Sequence, residues 1–250
     1  MTPSDAPTRR LDLALVARGL VATRAKARDL IARGEVRLDG EVVRKPAIAV
    51  REGQAIAVSA EAAAQVSRGA VKLAAALDHF GLDPAGRIAL DVGASTGGFT
   101  QVLLERGAAR VYAVDVGKGQ LHPSLAEDPR VVAREECDAR SLDRTLVPEP
   151  IDAIVADASF ISLRKVLPPA LALAAPGCWL VALVKPQFEV GREGVGKGGI
   201  VRDPALREQA LANVRQWLTE QTGWIVIGHM PSPIEGGAGN VEFLLAAVRS

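Results

Sequence analysis

The stretch Ile88-Ala89-Leu90-Asp91-Val92-Gly93-Ala94-Ser95-Thr96-Gly97-Gly98-Phe99 decides the fold. Ile88, Ala89 and Leu90 read as a short buried strand, and Phe99 to Arg106 reads as the helix that follows it. Between them stand an acid, Asp91, and three glycines, Gly93, Gly97 and Gly98, which let the backbone turn tightly and approach a ligand with no Cβ in the way. A second apolar run, Arg110 to Val114, ends in Asp115, near the spacing of about 20 residues at which Rossmann-like folds place an acid on a ribose hydroxyl. Together these predict a cofactor site at the end of the first strand, built from Asp91, Gly93, Ala94, Ser95, Gly97, Gly98, Phe99 and Asp115.

The spacing departs from the dinucleotide fingerprint. A G-x-G-x-x-G loop holds a pyrophosphate, whereas here one glycine is followed by a pair and preceded by an acid. A leading acid repels phosphate and suits a cationic or amine-bearing ligand, which favours S-adenosylmethionine (SAM) over NAD. The alternative is a glycine-rich turn with no ligand.

The chain has 250 residues, 48% of them hydrophobic, enough for one α/β domain and a small appendage. Pro, Gly or charge interrupts every apolar stretch before the roughly 20 residues a membrane span needs. Met1-Thr2-Pro3-Ser4-Asp5 carries no signal-peptide core, so a cytoplasmic protein is expected. Cys137 and Cys178 are too few for a disulfide framework. His79, His122 and His229 lack metal-ligand spacing, so no metal is expected.

A formal net charge of +1 hides an asymmetry. Residues 9–51 hold 11 Lys and Arg against 5 Asp and Glu, a net +6; residues 67–250 hold 19 against 21, a net −2. A basic head on a near-neutral body predicts that the head meets a polyanion. In the head, Leu11, Leu13, Ala14 and Leu15 lead into Gly19, and Thr23 reads as the cap of a second helix with an apolar face of Ala27, Leu30 and Ile31, ending at Gly34. Arg24 and Arg28 share a face of that helix and Arg33 lies near its end, placed for phosphates; ordinary solvated arginines are the alternative reading. A hairpin turn is expected at Asp39-Gly40, and a last strand near Ile56 to Val58. The segment Arg10-Leu11-Asp12, Gly19-Leu20-Val21, Arg24, Ala27, Leu30-Ile31, Gly34-Glu35-Val36, Asp39-Gly40 and Lys45-Pro46 resembles the S4 RNA-binding domain. That resemblance implies structured RNA as partner, with Arg10, Arg24, Arg28, Arg33 and Arg68 as RNA-binding candidates.

The body alternates strands and helices as a doubly wound sheet does. An opening helix spans Gly69 to Phe80, with Val71, Leu73, Ala74, Leu77 and Phe80 as its apolar residues and Lys72 among them. Strands are expected at 87–91, 110–114, 130–133, 151–156, 178–184, 224–230 and 241–248. The fold class is therefore α/β: a Rossmann-like, seven-stranded SAM-dependent methyltransferase sheet with a small N-terminal α+β S4-type domain. The expected boundaries are 1–58 for the head, 59–66 for a linker and 67–250 for the body. Three charged residues fall at the ligand edge of that sheet, Asp157, Lys185 and Glu242, each beside an apolar strand where an unpaired charge is costly. Mutual pairing is expected, and a purely structural ion-pair network is the alternative.

Ser67-Arg68-Gly69-Ala70-Val71-Lys72-Leu73, Asp91 to Phe99, Ala113 to Leu121, Asp157 to Leu163, Leu183 to Gly191, Gly196 to Gly199 and Gly239-Asn240-Val241-Glu242-Phe243 together resemble the TlyA family. The resemblance implies FtsJ-like methylation of the ribose 2′-hydroxyl of cytidine in ribosomal RNA from SAM, with a catalytic tetrad on Lys72, Asp157, Lys185 and Glu242. In that assignment Lys185 acts on the hydroxyl proton, Asp157 and Lys72 orient it, and Glu242 holds the second amine. Asp157 also counts among the cofactor-binding residues. The chain departs from the family at Ala64-Gln65 and at Cys137-Asp138-Ala139-Arg140, where Asp138 is the candidate acceptor for an adenine amine. Gly191 to Gly199, with Arg192 and Lys197, reads as a mobile loop over the site or as a solvated one. Phe160 and Phe188 are expected to pack at the sheet edge, with base stacking as the alternative.

Three other functions compete with this reading. A non-catalytic ribosome-assembly factor would keep the head without needing Asp91, Gly93 and the tetrad. Pseudouridine synthases carry this type of head on a different body. Relatives are often called haemolysins, but no span or strongly amphipathic pore segment stands in the sequence. Ribosomal RNA or ribosomal subunits are the expected partners, with no membrane.

Overall fold

The computed structural model describes residues 8–21, 24–60, 65–236 and 239–250, and of Ala25 and Arg192 the backbone alone. The chain divides into two compact units, Met1–Arg68 and Gly69–Ser250. Thr23, the expected helix cap, and residues 61–64, half of the expected linker, lie outside the described residues.

In the first unit, strand β1 (Thr8–Arg10) leads into helix α1 (Leu11–Ala17), followed by helix α2 (Arg24–Arg33) and strands β2 (Val36–Leu38), β3 (Glu41–Val42), β4 (Ala49–Arg51) and β5 (Ile56–Val58). β1 pairs with β4, and the other three form an antiparallel sheet in the order β3-β2-β5. Leu11, Ala14 and Leu15 of α1 meet Ala27, Leu30 and Ile31 of α2 in one buried cluster, because residues three and four apart share a helix face. Leu13 falls between them and is exposed, a correction to its place in the expected apolar run. Asp39 and Gly40 both have positive φ, 51° and 89°, the backbone a two-residue type I′ hairpin requires.

The second unit opens with helix α3 (Gly69–Phe80), the range its periodicity predicts. Next come β6 (Ile88–Val92), α4 (Gly98–Glu105), β7 (Arg110–Val114), the short helix α5 (Pro123–Ala126), β8 (Val131–Arg134), β9 (Ile151–Ala156), α6 (Leu163–Ala172) and β10 (Ala174–Val184). The short helix α7 (Pro186–Glu189), the long helix α8 (Pro204–Thr219) and strands β11 (Trp224–Pro231) and β12 (Phe243–Arg249) complete it. The seven strands lie in the order β11-β12-β10-β9-β6-β7-β8. β12 runs antiparallel to both its neighbours, while β10, β9, β6, β7 and β8 are parallel. The central strands are apolar on both faces because helices cover both, as in parallel sheets generally.

Most strand ends fall within one residue of expectation, and two differ by more. β10 begins at Ala174, four residues early, with an irregular register before Trp179. β12 begins at Phe243, two residues late. Phe243 pairs with Val184, the last residue of β10, so Val241 and Glu242 have no ladder position left; the Glu242 carbonyl accepts from Ser232 N–H instead. Among the described residues, no helix is long and apolar enough to cross a membrane.

Candidate active site

The sheet topology brings together residues far apart in sequence. β6 and β9 pair in parallel with Val92 opposite Ala156, and β9 and β10 pair with Ala156 opposite Ala182, so Asp91, Asp157 and Lys185 crowd the carboxyl edge. Because β12 enters from that same edge, Glu242 stands one residue before the Phe243–Val184 pair, and Lys185 one residue after it. Crevices at the carboxyl ends of parallel strands are where open α/β sheets bind ligands.

The four charged residues form two ion pairs. Lys72 Nζ, from α3, donates to Glu242 Oε2 at 2.5 Å, with both side chains buried. Lys185 Nζ lies 2.6 Å from Asp157 Oδ1, a contact held by charge, since its angle does not suit a hydrogen bond. The Lys185 amine also donates to Ser159 Oγ at 2.7 Å. Ser159 is a partner the sequence did not single out; nothing distinguishes a lone serine three residues beyond a strand. Gly236 is another. A Cβ there would overlap the Glu242 carboxylate, so the bare backbone makes the room in which Glu242 meets Lys72.

Beside these pairs lies a cavity of about 470 Å³. Three acids line it, Asp115 and Asp157 at strand ends and Asp138 in the loop after β8, together with Gly93, Ser95 and an apolar wall that includes Val114, Val116 and Ile161. Asp115 accepts from Ser95 N–H at 2.8 Å and from Gly117 N–H at 2.7 Å, which fixes its carboxylate and leaves further lone pairs. Asp138 faces Arg140, whose guanidinium reaches it at 2.6 Å and holds its carboxyl below the ordinary range. Ala94, Gly97, Gly98 and Phe99 are buried and do not line the cavity, Phe99 within α4.

The protein's own packing constrains two of the glycines. A Cβ at Gly93, where φ is +84°, would meet the Asp157 carbonyl at 3.0 Å and the Ala158 backbone at 3.1 Å. One at Gly97 would overlap the Leu125 side chain. Neighbouring protein groups leave no room for a side chain at either position.

Asp91 is fully buried. Its Oδ2 accepts from Thr100 Oγ1 at 2.7 Å, and its Oδ1 has no hydrogen-bond partner. Burial, opposed by the Thr100 hydrogen bond and reinforced by the Asp157 charge, pushes its carboxyl up to about 7. A buried acid with one unsatisfied oxygen, in a crowd of other acids, is a site that a cation would relieve. Among the described residues, no three His, Cys, Asp or Glu side chains cluster as a metal site.

Phe160 is 91% exposed, which corrects the expectation that it packs at the sheet edge. Its φ of +65° puts the loop crest in the left-handed region, and its ring stands 5.3 Å from the Phe188 ring. The segment expected as a mobile loop, Gly191 to Gly199, is partly tied down. Gly196 and Ile200 form a bridge, and the buried Asn240 accepts from Val201 N–H and donates to the Gly199 carbonyl. The Arg192 side chain lies outside the described residues.

In the first unit, Arg10 and Arg24 both grip one buried acid, Asp12, at 3.1 and 2.9 Å. The Arg10 hydrogen bond is the main force holding the Asp12 carboxyl below its ordinary range, with Arg24 adding to it against the cost of burial. Arg28 is exposed on α2. Arg33 and Arg68 each stand 3.8 Å from Asp29.

The FtsJ-like methyltransferase family matches residues 65–249, and the S4 domain matches residues 9–56. A 16S/23S rRNA (cytidine-2′-O)-methyltransferase TlyA of Mycobacterium tuberculosis (strain H37Rv) is 49% identical over 237 residues, 94% of this chain and 88% of its own. Hemolysin A of Brachyspira hyodysenteriae is 39% identical over 94% of this chain and 98% of its own. A solved Streptococcus thermophilus protein bearing a hemolysin name superposes with a TM-score of 0.77 at 39% identity, covering 98% of this chain and 89% of its own.

Proposed function

We propose that this chain, which belongs to the TlyA group of the FtsJ-like methyltransferase family, transfers a methyl group from SAM to the ribose 2′-hydroxyl of cytidine in ribosomal RNA. Its partner is ribosomal RNA or a ribosomal subunit, met in the cytoplasm and held in part by the S4 head. The observation that carries this reading is the Lys185–Asp157 pair, whose partners Asp157 and Ser159 both line the 470 Å³ cavity.

The residues of the cavity fit SAM. Asp157 in the lining suits the cofactor's positive charge, with the orphaned oxygen of the buried Asp91 one residue before the lining Val92, and Asp115 and Asp138 offer acceptors for ribose hydroxyls and an adenine amine. SAM supplies an electrophilic methyl group on a sulfonium that leaves readily. The protein's task is therefore mainly alignment of the ribose oxygen, together with handling of its proton. Lys185 is the group that acts on the hydroxyl, by hydrogen bonding its oxygen as the ammonium or by accepting its proton as the amine. Asp157 and Ser159 hold that amine at the rim of the cavity. Lys72 and Glu242, buried beside the edge, supply a fixed pair of opposite charges that keeps β12 and α3 in register with the site.

Transfer of labelled methyl groups from SAM to ribosomal RNA tests the reading, with the product mapped by the resistance of 2′-O-methylated linkages to alkaline cleavage. Label in alkali-resistant dinucleotides containing cytidine is the expected result; label confined to bases would overturn the ribose assignment. Lys185→Ala should lower the rate by at least about 10²-fold. A folded Lys185→Ala protein working at the parent rate would leave the ion pair as structure alone.

A further inference from the structure

Glu189 is a buried carboxylate with no part in the chemistry described above. Its side chain is 1% exposed. Its Oε2 accepts from Ser162 Oγ at 2.6 Å and its Oε1 from Leu163 N–H at 2.7 Å. Burial raises its carboxyl above the ordinary range against those two bonds and the charge of Arg164, whose guanidinium stands 3.8 Å from Oε2. A charge-bearing group is not buried without recompense, so what this one accomplishes calls for a reason.

Capping of helix α6 is not a sufficient one. Ser162 is already the N-cap of that helix and accepts from Arg164 N–H without help from Glu189. The placement in the chain is more telling. Lys185 immediately precedes α7 and Glu189 ends it, while Asp157 immediately follows β9 and Ser162 immediately precedes α6. The segments 157–162 and 185–189 are thus fastened twice: by Lys185 to Asp157 at one end, and by Glu189 to Ser162 and Leu163 at the other. Between the fastenings stand Ser159, bonded to the Lys185 amine, and Phe160 at the exposed crest. A short segment tied at both ends has few conformations open to it; released at one end, it has many.

We propose that Glu189 is a positioning residue for methyl transfer: it fastens the far end of the 157–162 segment so that Asp157 and Ser159 hold Lys185 in one orientation and Phe160 stands at the cavity mouth. The inference rests on the methyl-transfer reading of the site.

The test compares Glu189→Ala, Glu189→Gln and Ser162→Ala in the full chain by steady-state methylation, calorimetric SAM binding, thermal melting and amide hydrogen exchange. In Glu189→Ala, kcat should fall at least about tenfold while the Kd for SAM stays within about twofold, since misplacement of reacting groups by an ångström or less is costly. Exchange should quicken across residues 158–163, most at Leu163, whose N–H loses its acceptor. Glu189→Gln keeps an acceptor for Leu163 and a partner for Ser162, and should restore most of kcat. Unchanged kcat, or unchanged exchange across 158–163, overturns the proposal. So does a fall in activity that tracks the folded fraction and is not restored by glutamine. If Glu189→Ala does not fold, Ser162→Ala decides: it removes one of the two bonds, and parent-like kcat in it overturns the proposal. If the parent transfers no methyl at all, the functional reading falls, while the exchange measurement still shows whether Glu189 fastens the segment.

Discussion

Lys72 and Glu242 stand 170 residues apart in sequence and meet at 2.5 Å, with 4% and 3% of their side chains exposed. Their meeting joins the first helix of the catalytic unit to the entry of its last strand. Removing one partner of such a pair strands the other charge in the interior, which typically costs about 3–5 kcal/mol, while replacing both with apolar residues is often close to neutral. Glu242→Ala and Lys72→Ala are each expected to lower the unfolding free energy by about that amount. Lys72→Met combined with Glu242→Leu should recover much of the stability and none of the activity. Denaturant unfolding beside a methylation assay separates the two effects. Full activity in the stable double variant would mean that the pair is scaffolding alone.

The Asp91 carboxyl, pushed up to about 7 by burial, predicts that cofactor binding is coupled to a proton. The unfolded chain ionises this acid near its ordinary 3.8, whereas the folded chain keeps the proton to about 7. Folding stability therefore loses a contribution as pH rises from about 4 to 7 and is level above that. A cationic ligand favours the ionised form, so SAM should displace up to about one proton when it binds below pH 7, and its affinity should rise with pH up to that point. Calorimetry in two buffers of different ionisation enthalpy measures the released proton directly. Asp91→Asn should abolish the release; if it persists there, the coupled group lies elsewhere.

An exposed aromatic ring beside a nucleic-acid site has an obvious use. Phe160 offers a face to a base, and stacking of that kind is worth roughly 1–3 kcal/mol per base by alanine substitution. Phe160→Ala is expected to weaken RNA binding or raise its KM by a factor in that range. SAM affinity and melting temperature should hold, because a ring this exposed adds little to the core. A matching loss of stability would place the ring in packing after all.

Much of this arrangement was legible in the sequence because it rests on local patterns. The apolar runs ending in Asp91, Asp115, Asp157 and Lys185 announce strands by burial and a ligand edge by charge, and the periodicity of Gly69 to Phe80 sets α3 to the residue. Three-dimensional coincidences left no such mark. Ser159 and Gly236 matter through what they touch, Lys185 and Glu242, and neither contact follows a helical or strand period. Phe160 reads as a buried aromatic until its positive φ is known. Nothing in the pattern around Asp12 marks it as the buried hub that holds Arg10 and Arg24.

That hub changes how the basic head should be tested. Arg24 is half-engaged with a buried carboxylate, so Arg24→Ala removes the proposed phosphate contact and also leaves Asp12 with Arg10 as its remaining ion-pair partner. A loss of RNA affinity in that variant would mix electrostatics with a weakened fold. Arg28 shares the helix and is exposed, so Arg28→Ala should change phosphate contact without touching the hub. Each phosphate neutralised contributes close to one unit to the slope of log affinity against log salt, because bound counterions are released on association. Filter binding of ribosomal RNA across a salt series should therefore show a slope shallower by about one unit in Arg28→Ala, with an unchanged melting curve. Arg24→Ala should show a similar change in slope together with a lowered melting temperature. Because the Asp12 carboxyl is held below its ordinary range mainly by Arg10, the stability it contributes is present above about pH 4 and is lost as pH falls through its lowered value. The melting difference between Arg24→Ala and the parent should accordingly be full at neutral pH and shrink in strong acid. A slope identical to the parent's in Arg28→Ala would mean that this face of the helix meets no phosphate.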